Sequence, residues 1–315
     1  MAQMMSTVLS QTSDSVGPVL ASIKLSGAVL SVAHLEAPFT VESGVVPTGV
    51  FHAVMSGEAW ASLADSSEVV HLVPGQVAVF PTGAEHVITS ARMPEAPPVP
   101  VSASGHGPIA TMNVENGGAA TEILCGTITF VDSPVLSPPD ALPDMVVTGT
   151  DASNGWVRST VELITHELMG DVPASAVVAE RLADVLVVRA LREIVHSGVG
   201  EGWVAGIRDP QLAPALAAIH SHPEGPWTAA GLARLSSMSR SSFYERFRRV
   251  LGVPPAEYLA IWRVHIACGL LETTDQSIGS IGRTVGFTTE AGFSTAFKRM
   301  VGVPPSAHRR AQTRR

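Results

Sequence analysis

Apolar positions change their spacing along the chain. Between residue 18 and about 132 they fall in short alternating runs broken by Gly and Pro, at 50–55, 58–63, 69–73, 76–80, 87–90 and 123–130. A period of two with frequent turn residues predicts an antiparallel β-barrel or double-sheet roll. After Asn154 the period lengthens. Leu163, Ile164 and Leu168 mark a first helix, and Val178, Leu182, Val185, Leu191 and Val195 mark a longer one from about 174 to 196. That near-heptad stripe suits packing on the barrel or on a second chain. Glycines then crowd 198–206, a predicted linker with a hinge, and helical spacing dominates from 208 onward. The expected fold class is α+β: a flexible N-terminus (1–17), a β-barrel domain (18–153), a helical dimerisation or packing element (154–197), a linker (198–207) and an all-α domain (208–315). Segments 91–107 and 133–143, rich in Pro, read as loops without assigned chemistry.

Within the all-α part a motif repeats at an offset of fifty positions. Phe243, Phe247, Arg249, Gly252, Val253, Pro254 and Pro255 return as Phe293, Phe297, Arg299, Gly302, Val303, Pro304 and Pro305, with Arg248 replaced by Lys298. Upstream of each copy the pattern fits a helix-turn-helix. In the first, Trp227, Leu232, Ala233 and Leu235 line a short helix, 236–239 turn, and 240–250 form a basic helix with Ser239 as N-cap. In the second, Ile278, Ile281 and Val285 line the short helix, 286–289 turn, and 290–301 form the second basic helix, with one extra residue in the turn. Between them 256–272 reads as one helix with Tyr258, Leu259, Trp262, Ile266, Leu270 and Leu271 at three- and four-residue steps. Seventeen residues span about 25 Å, enough to set two such helices roughly one DNA turn apart, about 34 Å.

Charge changes the picture once the chain is divided. The whole carries −8, yet the segment from Arg208 to the end holds 14 Lys+Arg against 7 Asp+Glu, a net of +7. Positive charge on the two basic helices (Arg240, Arg246, Arg248, Arg249, Lys298, Arg299) is what phosphate neutralisation requires. With the phenylalanines turned inward, the exposed arcs are Arg240, Ser241, Tyr244, Glu245 and Arg248 on one helix and Glu290, Ala291, Ser294, Thr295 and Lys298 on the other. Arg249 and Arg299 lie beside them, close to the DNA backbone.

These residues resemble the DNA-binding domain of the AraC/XylS transcriptional regulators over 227–309. The likeness is carried by Trp227-Thr228, Leu232-Ala233, Met238-Ser239, Phe243, Arg246-Phe247, Gly252, Pro255, Tyr258-Leu259, Arg263, Ala267, Leu270-Leu271, Ile278, Ile281, Gly286-Phe287, Phe293, Phe297-Lys298-Arg299, Gly302 and Pro305. Departures are Pro254 and Pro304 where the family usually has Ser or Thr, Gly282 where alanine is usual, and Thr295 where arginine is common. The resemblance implies double-stranded DNA as partner, homodimerisation through the sensor domain, and contact with RNA polymerase if the effect is activation.

The barrel resembles the cupins. Gly75, Pro81, Gly83 and His86 fit the second cupin motif, and His52 aligns with the first histidine of the first motif, but Val54 takes the place of its second and Glu58 matches its acidic position weakly. The complete metal set is absent. His52, His86 and Cys125 fall on predicted strands, and two imidazoles plus a thiolate could hold a soft or borderline metal ion. The alternatives are a redox site, contact with an organic effector, or hydrogen-bonded core residues with no ligand. No cofactor is required by the pattern. The expected function is a DNA-binding transcription factor that responds to a small-molecule, metal or redox signal at its cupin-like domain, and not an enzyme; the rival is a cupin-type metal-dependent enzyme with a degenerate helical tail.

Composition adds bounds. A length of 315 residues and 45% apolar content suggest two domains with ample core. No run of eighteen apolar residues and no signal-peptide pattern occurs, which predicts a cytoplasmic protein without membrane association. Two distant cysteines, Cys125 and Cys268, form no disulfide framework.

Overall fold

The computed structural model describes residues 17, 19, 25–100, 110–130, 141–148, 155–169, 174–197 and 200–312. The N-terminal segment up to 16, most of the proline-rich stretch 133–143, part of the loop 91–107 and the first linker residues 198–199 lie outside them. The chain falls into two compact units, one of Leu25–Val131 with Leu142–Ser197, the other chiefly Gly198–Arg315.

The first unit is a pair of sheets. Eleven strands are described: β1 (Leu25–Glu36), β2 (Thr40–Ser43), β3 (Gly49–Ser56), β4 (Ala59–Leu63), β5 (Val70–Leu72), β6 (Val77–Phe80), β7 (His86–Thr89), β8 (Val99–Pro100), β9 (Ala110–Val114), β10 (Ala120–Phe130) and β11 (Val146–Thr148). One sheet runs β11-β6-β3-β10-β1-β9 and the other β5-β4-β7-β2-β8. Their inner faces bury Leu35, Phe39, Val54, Leu72, Phe80, Ile88 and Ile123. The alternating runs of the sequence become β3 to β7 and β10. Gly83 makes the turn that delivers β7: its φ is +69°, and a Cβ there would collide with the carbonyl oxygens of Val46 and Thr48.

Two helices complete this unit, α1 (Gly155–Met169) and α2 (Ser175–Ser197). α2 packs on β1 and α1, and it buries Ala179, Ala183, Leu186, Val187, Ala190, Leu191, Ile194 and Val195. The expected near-heptad stripe therefore splits. Leu191 and Val195 are core, whereas Val178 and Val185 are 41% and 49% exposed. A helix repeats every 3.6 residues, so a seven-residue reading drifts about 20° per heptad, and alanines on the true inner face let the helix approach the sheet.

The second unit is all helical: α3 (Gly202–Arg208), α4 (Ala213–Ser221), α5 (Ala229–Leu235), α6 (Arg240–Leu251), α7 (Pro255–Thr273), α8 (Ile278–Thr284), α9 (Glu290–Val301) and α10 (Pro305–Gln312). The predicted 198–207 linker is corrected here. Residues 202–208 form α3, with Trp203, Val204, Gly206 and Ile207 buried and with α6 and α4 as neighbours. The glycines suggested flexibility, but Trp203, Val204 and Ile207 share one helical face that has to be covered. Asp209 then accepts from the Gln211 and Leu212 amides at 2.9 and 3.2 Å and pairs with Arg246 Nε at 2.8 Å. Trp203→Ala is expected to destabilise this unit by about 3 kcal/mol, as for a large core truncation. Urea denaturation checks it, and a loss below about 0.5 kcal/mol would restore the linker.

Candidate nucleic-acid interface and barrel cavity

Each helix-turn-helix is built by local signals that the sequence carries plainly. The Thr228 and Ser239 side chains accept from the Gly231 and Ser242 amides and start α5 and α6; Gly252, at φ 77°, ends α6 in the left-handed region. In the second unit Ser277 and Thr289 accept from the Ser280 and Gly292 amides, and Gly302 ends α9 at φ 84°. Such caps satisfy amides and carbonyls that a helix end leaves unpaired. Trp227, expected on the first helix, instead precedes α5 and donates its indole N–H to the His222 carbonyl at 2.7 Å. Pro254, as its identity implies, opens α7 without a side-chain cap.

Phe243, Phe247, Phe293 and Phe297 are fully buried, which fixes the outward arcs. Arg240, Ser241, Tyr244, Glu245, Arg248 and Arg249 are exposed on α6. On α9 Ala291, Thr295, Lys298 and Arg299 are exposed and Ser294 is half-buried. Glu290 is exposed too, but its carboxylate fills the space that a Cβ of Gly279 would take. Gly282 has a comparable function: a Cβ there would lie 3.0 Å from the Phe293 side chain. The two glycines let α8 and α9 approach closely, where the first unit has Ala230 and Ala233.

Several arginines serve the fold instead of the surface. Arg246, counted among the phosphate-neutralising charges, is held by Asp209. Arg263 donates to the Pro223 and Gly225 carbonyls at 2.7 and 2.8 Å, and Arg309 to those of Leu271 and Gln276 at 3.3 and 2.7 Å. Burial lowers the pKa of Arg263, opposed by Glu224. Sequence reasoning missed these clamps because the carbonyls that Arg263 and Arg309 bind lie 33 to 40 positions away along the chain. Of the six basic residues on α6 and α9, Arg240, Arg248, Arg249, Lys298 and Arg299 are left outward.

In the barrel, His52, His86 and Cys125 do meet, though as a chain. The register sets His52 on β3 beside Cys125 on β10, and the His52–His86 bond reaches across to β7 of the other sheet. His86 Nδ1 lies 2.7 Å from the Ala84 carbonyl, His86 Nε2 2.8 Å from His52 Nε2, and His52 Nδ1 3.1 Å from Cys125 Sγ. A carbonyl only accepts, so His86 Nδ1–H donates to it. His86 Nε2 then accepts from His52 Nε2–H, and His52 Nδ1 accepts from the Cys125 thiol. Every member is neutral. Burial agrees: it lowers His52 to about 3, with His86 adding to the effect, lowers His86 as well, and pushes Cys125 up to about 12. His86 also stacks on Phe80, with ring centroids 3.7 Å apart. His52 and Cys125 border a cavity of about 370 Å³ that is otherwise walled mainly by aliphatic side chains. Glu58, the weak match to the cupin acidic position, bonds His71 on the surface instead.

Comparison with known proteins fits this architecture. A cupin family covers residues 14–196 and a helix-turn-helix domain family covers 232–311. The chain is 36% identical over 177 residues to a putative AraC-like transcription regulator of Streptomyces lividans, a match covering 55% of this chain and 58% of that relative's length. It is 26% identical to an uncharacterized HTH-type transcriptional regulator of Haemophilus influenzae over 84% of this chain and 86% of that protein. The DNA-binding domain of AdpA, solved in complex with a target DNA, is 35% identical over 34% of this chain and 96% of that domain, with a TM-score of 0.32. The chain belongs to the AraC-type transcriptional regulators that carry an N-terminal cupin domain. Its relatives are named as regulators, and the enzyme alternative is not favoured.

The depressed pKa of His52 has a sign that can be tested. Between about pH 3 and 6.5 the unfolded chain binds a proton at this residue and the folded chain does not, so this contribution to stability falls as pH drops. Each such proton corresponds to about 1.4 kcal/mol per pH unit. His52→Gln should therefore flatten the pH dependence of unfolding free energy between pH 4 and 6 by up to that slope. Equal slopes for variant and parent, from denaturant titrations at several pH values, would contradict a neutral His52.

Proposed function

We propose that this chain binds duplex DNA through the outward arcs of α6 and α9 to regulate transcription, under control of a small molecule received in the barrel cavity. The observation that carries the reading is the pair of capped helices on a common α7, each turning its phenylalanines inward and its basic residues outward. Base reading falls to Arg240, Ser241, Tyr244, Glu245 and Arg248 on α6, and to Ala291, Ser294, Thr295 and Lys298 on α9, while Arg249 and Arg299 hold phosphates. The α9 arc has shorter side chains, and Glu290 is turned toward α8, so the first unit supplies most of the discrimination. Such a regulator acts in the cytoplasm; among the described residues no helix is long and apolar enough to cross a membrane. Val177, Val178, Val185 and Val188, exposed on α2, offer a face for a second copy, and an activating role would add contact with RNA polymerase.

The metal and redox readings of His52, His86 and Cys125 are less well supported. His52 directs one nitrogen to each neighbour, so the three donors do not face one point, and among the described residues no group of three His, Cys, Asp or Glu is placed to hold an ion. The reactive form of cysteine is the thiolate, which the environment of Cys125 disfavours.

DNA affinity of the full chain should fall with salt at a log-log slope of roughly −4 to −8, for several phosphate contacts; a flat response would remove duplex DNA as partner. Tyr244→Ala should cost on the order of 1 to 3 kcal/mol on the best site and relax one or two base positions, whereas Arg249→Ala should weaken all sequences alike. Competition with a randomised site library separates the two, and identical sequence-independent losses would contradict the assigned arc.

A further inference from the structure

Asp209 is the residue at which three helices of the DNA-binding unit meet. Its backbone amide donates to the Ala205 and Gly206 carbonyls and ends α3. One carboxylate oxygen, Oδ1, accepts from the Gln211 and Leu212 amides at 2.9 and 3.2 Å, in the turn that opens α4. The other, Oδ2, accepts from Arg246 Nε on α6 at 2.8 Å. The Asp209 side chain is 10% exposed and that of Arg246 31%, so the pair is more sheltered than an ordinary surface ion pair, and the acid is already fixed by its two amides. The surrounding packing is close. A Cβ at Gly206 would lie 2.7 Å from Leu216 Cδ1 on α4 and 2.9 Å from Leu251 Cδ2 on α6. Helix α3 therefore reaches α6 at two points, by apolar contact at Leu251 and by charge at Arg246.

The direction of this hold matters for reading bases. Phe243 and Phe247 bury one stripe of α6, and a single stripe resists lifting of a helix more than it resists rolling about the helix axis. At 3.6 residues per turn Arg246 lies about 80° to one side of that stripe, whereas Tyr244, Arg248 and Ser241 lie on the other. A roll of about 15° would carry a side-chain tip about 6 Å from the axis through about 1.5 Å, enough to break a hydrogen bond to a base edge. We infer, resting on the DNA-binding reading above, that Asp209 is a positioning residue for base reading: through Arg246 it fixes the roll of α6, so the first helix-turn-helix reads its bases from a support supplied by α3. Arg246, expected from its charge to neutralise a phosphate, is then a fixed point of the scaffold.

Selection of sites from a randomised duplex library with the full chain, position by position, tests this, with urea denaturation and salt titration in parallel. Asp209→Asn keeps an oxygen for the Gln211 and Leu212 amides but removes the charged acceptor of Arg246. It is expected to weaken the best site about tenfold, which is about 1.4 kcal/mol, with preference lost only at base pairs that Tyr244→Ala also relaxes and retained at those that Lys298→Ala alters. Arg246→Gln should give the same pattern with an unchanged salt slope, and the double variant should match the weaker single variant within about twofold, as for two residues acting through one another. A phosphate-holding Arg246 predicts otherwise: Arg246→Gln would weaken all sequences alike and reduce the salt slope by about 0.9, and Asp209→Asn would tighten binding by releasing the guanidinium. That result would overturn the inference. Unchanged base preference in both variants would do so as well, even with a lower unfolding free energy, since Asp209 would then only hold the fold. If Asp209→Asn fails to fold, Arg246→Gln decides alone, because it leaves the Asp209 amide bonds in place. A parent chain without any base preference would remove the DNA-binding reading and this inference with it, whereas a selective parent with unaltered variants removes the inference alone.

Discussion

Burial of α7 on both sides is the constraint on which the DNA-binding unit depends. A helix that is apolar all round has to be covered all round, and α7 meets that demand by entering two cores. Tyr258 packs edge-on against Phe247 at 5.6 Å and bonds His220 at 2.9 Å, joining the first helix-turn-helix to α4. Val264, Ala267, Cys268 and Leu271 pack with Ile281, Val285, Phe293 and Phe297 of the second. Arg263 ties the loop before α5 to α7 and lies against the Gly286 turn, where a Cβ would come within 2.7 Å of its guanidinium. Helices α6 and α9 are thereby attached to one rigid element instead of to a flexible connector. Arg240, Tyr244 and Arg248 on one side and Thr295 and Lys298 on the other inherit their positions from it.

The barrel solves a different problem. Two imidazoles and a thiol inside an apolar shell would be costly if charged or unpaired. The single direction of donation, from Cys125 through His52 and His86 to the Ala84 carbonyl, leaves them neutral and paired, and it stitches the two sheets together at the base of the cavity. The histidine inherited from the second cupin motif is retained, but its partner is an imidazole in a hydrogen-bonded line. A domain of this kind keeps the cupin architecture, with a cavity walled mainly by aliphatic side chains beside the line.

Much of this was legible in the sequence wherever the signal was local. The bounds of α6 and α9 follow from Ser239, Thr289, Gly252 and Gly302, and the paired phenylalanines give their inward faces. Signals that depend on distant partners were less visible. Strand β1 carries Gly27 and a register shift between Val29 and Ser31, which blurs its alternation. The glycines of 198–206 concealed α3, although Trp203, Val204 and Ile207 already had helical spacing. Heptad spacing points to the wrong face of α2 in part, because its inner face is set by Ala179, Ala183 and Ala190. For His52, His86 and Cys125 the pattern put each residue on a strand, but which nitrogen faces which partner was not readable; that follows from strand register and from the Gly83 turn.

If α7 fixes the two readers as one body, a single chain should occupy two successive major grooves on one face of the duplex. Hydroxyl-radical footprinting of a one-to-one complex, on a site selected from random DNA, measures this most directly. The predicted result is two protected windows about 10 base pairs apart, both altered in position or strength by substitutions in α6 and α9 respectively. A single protected window, or two windows on opposite faces of the helix, would contradict it.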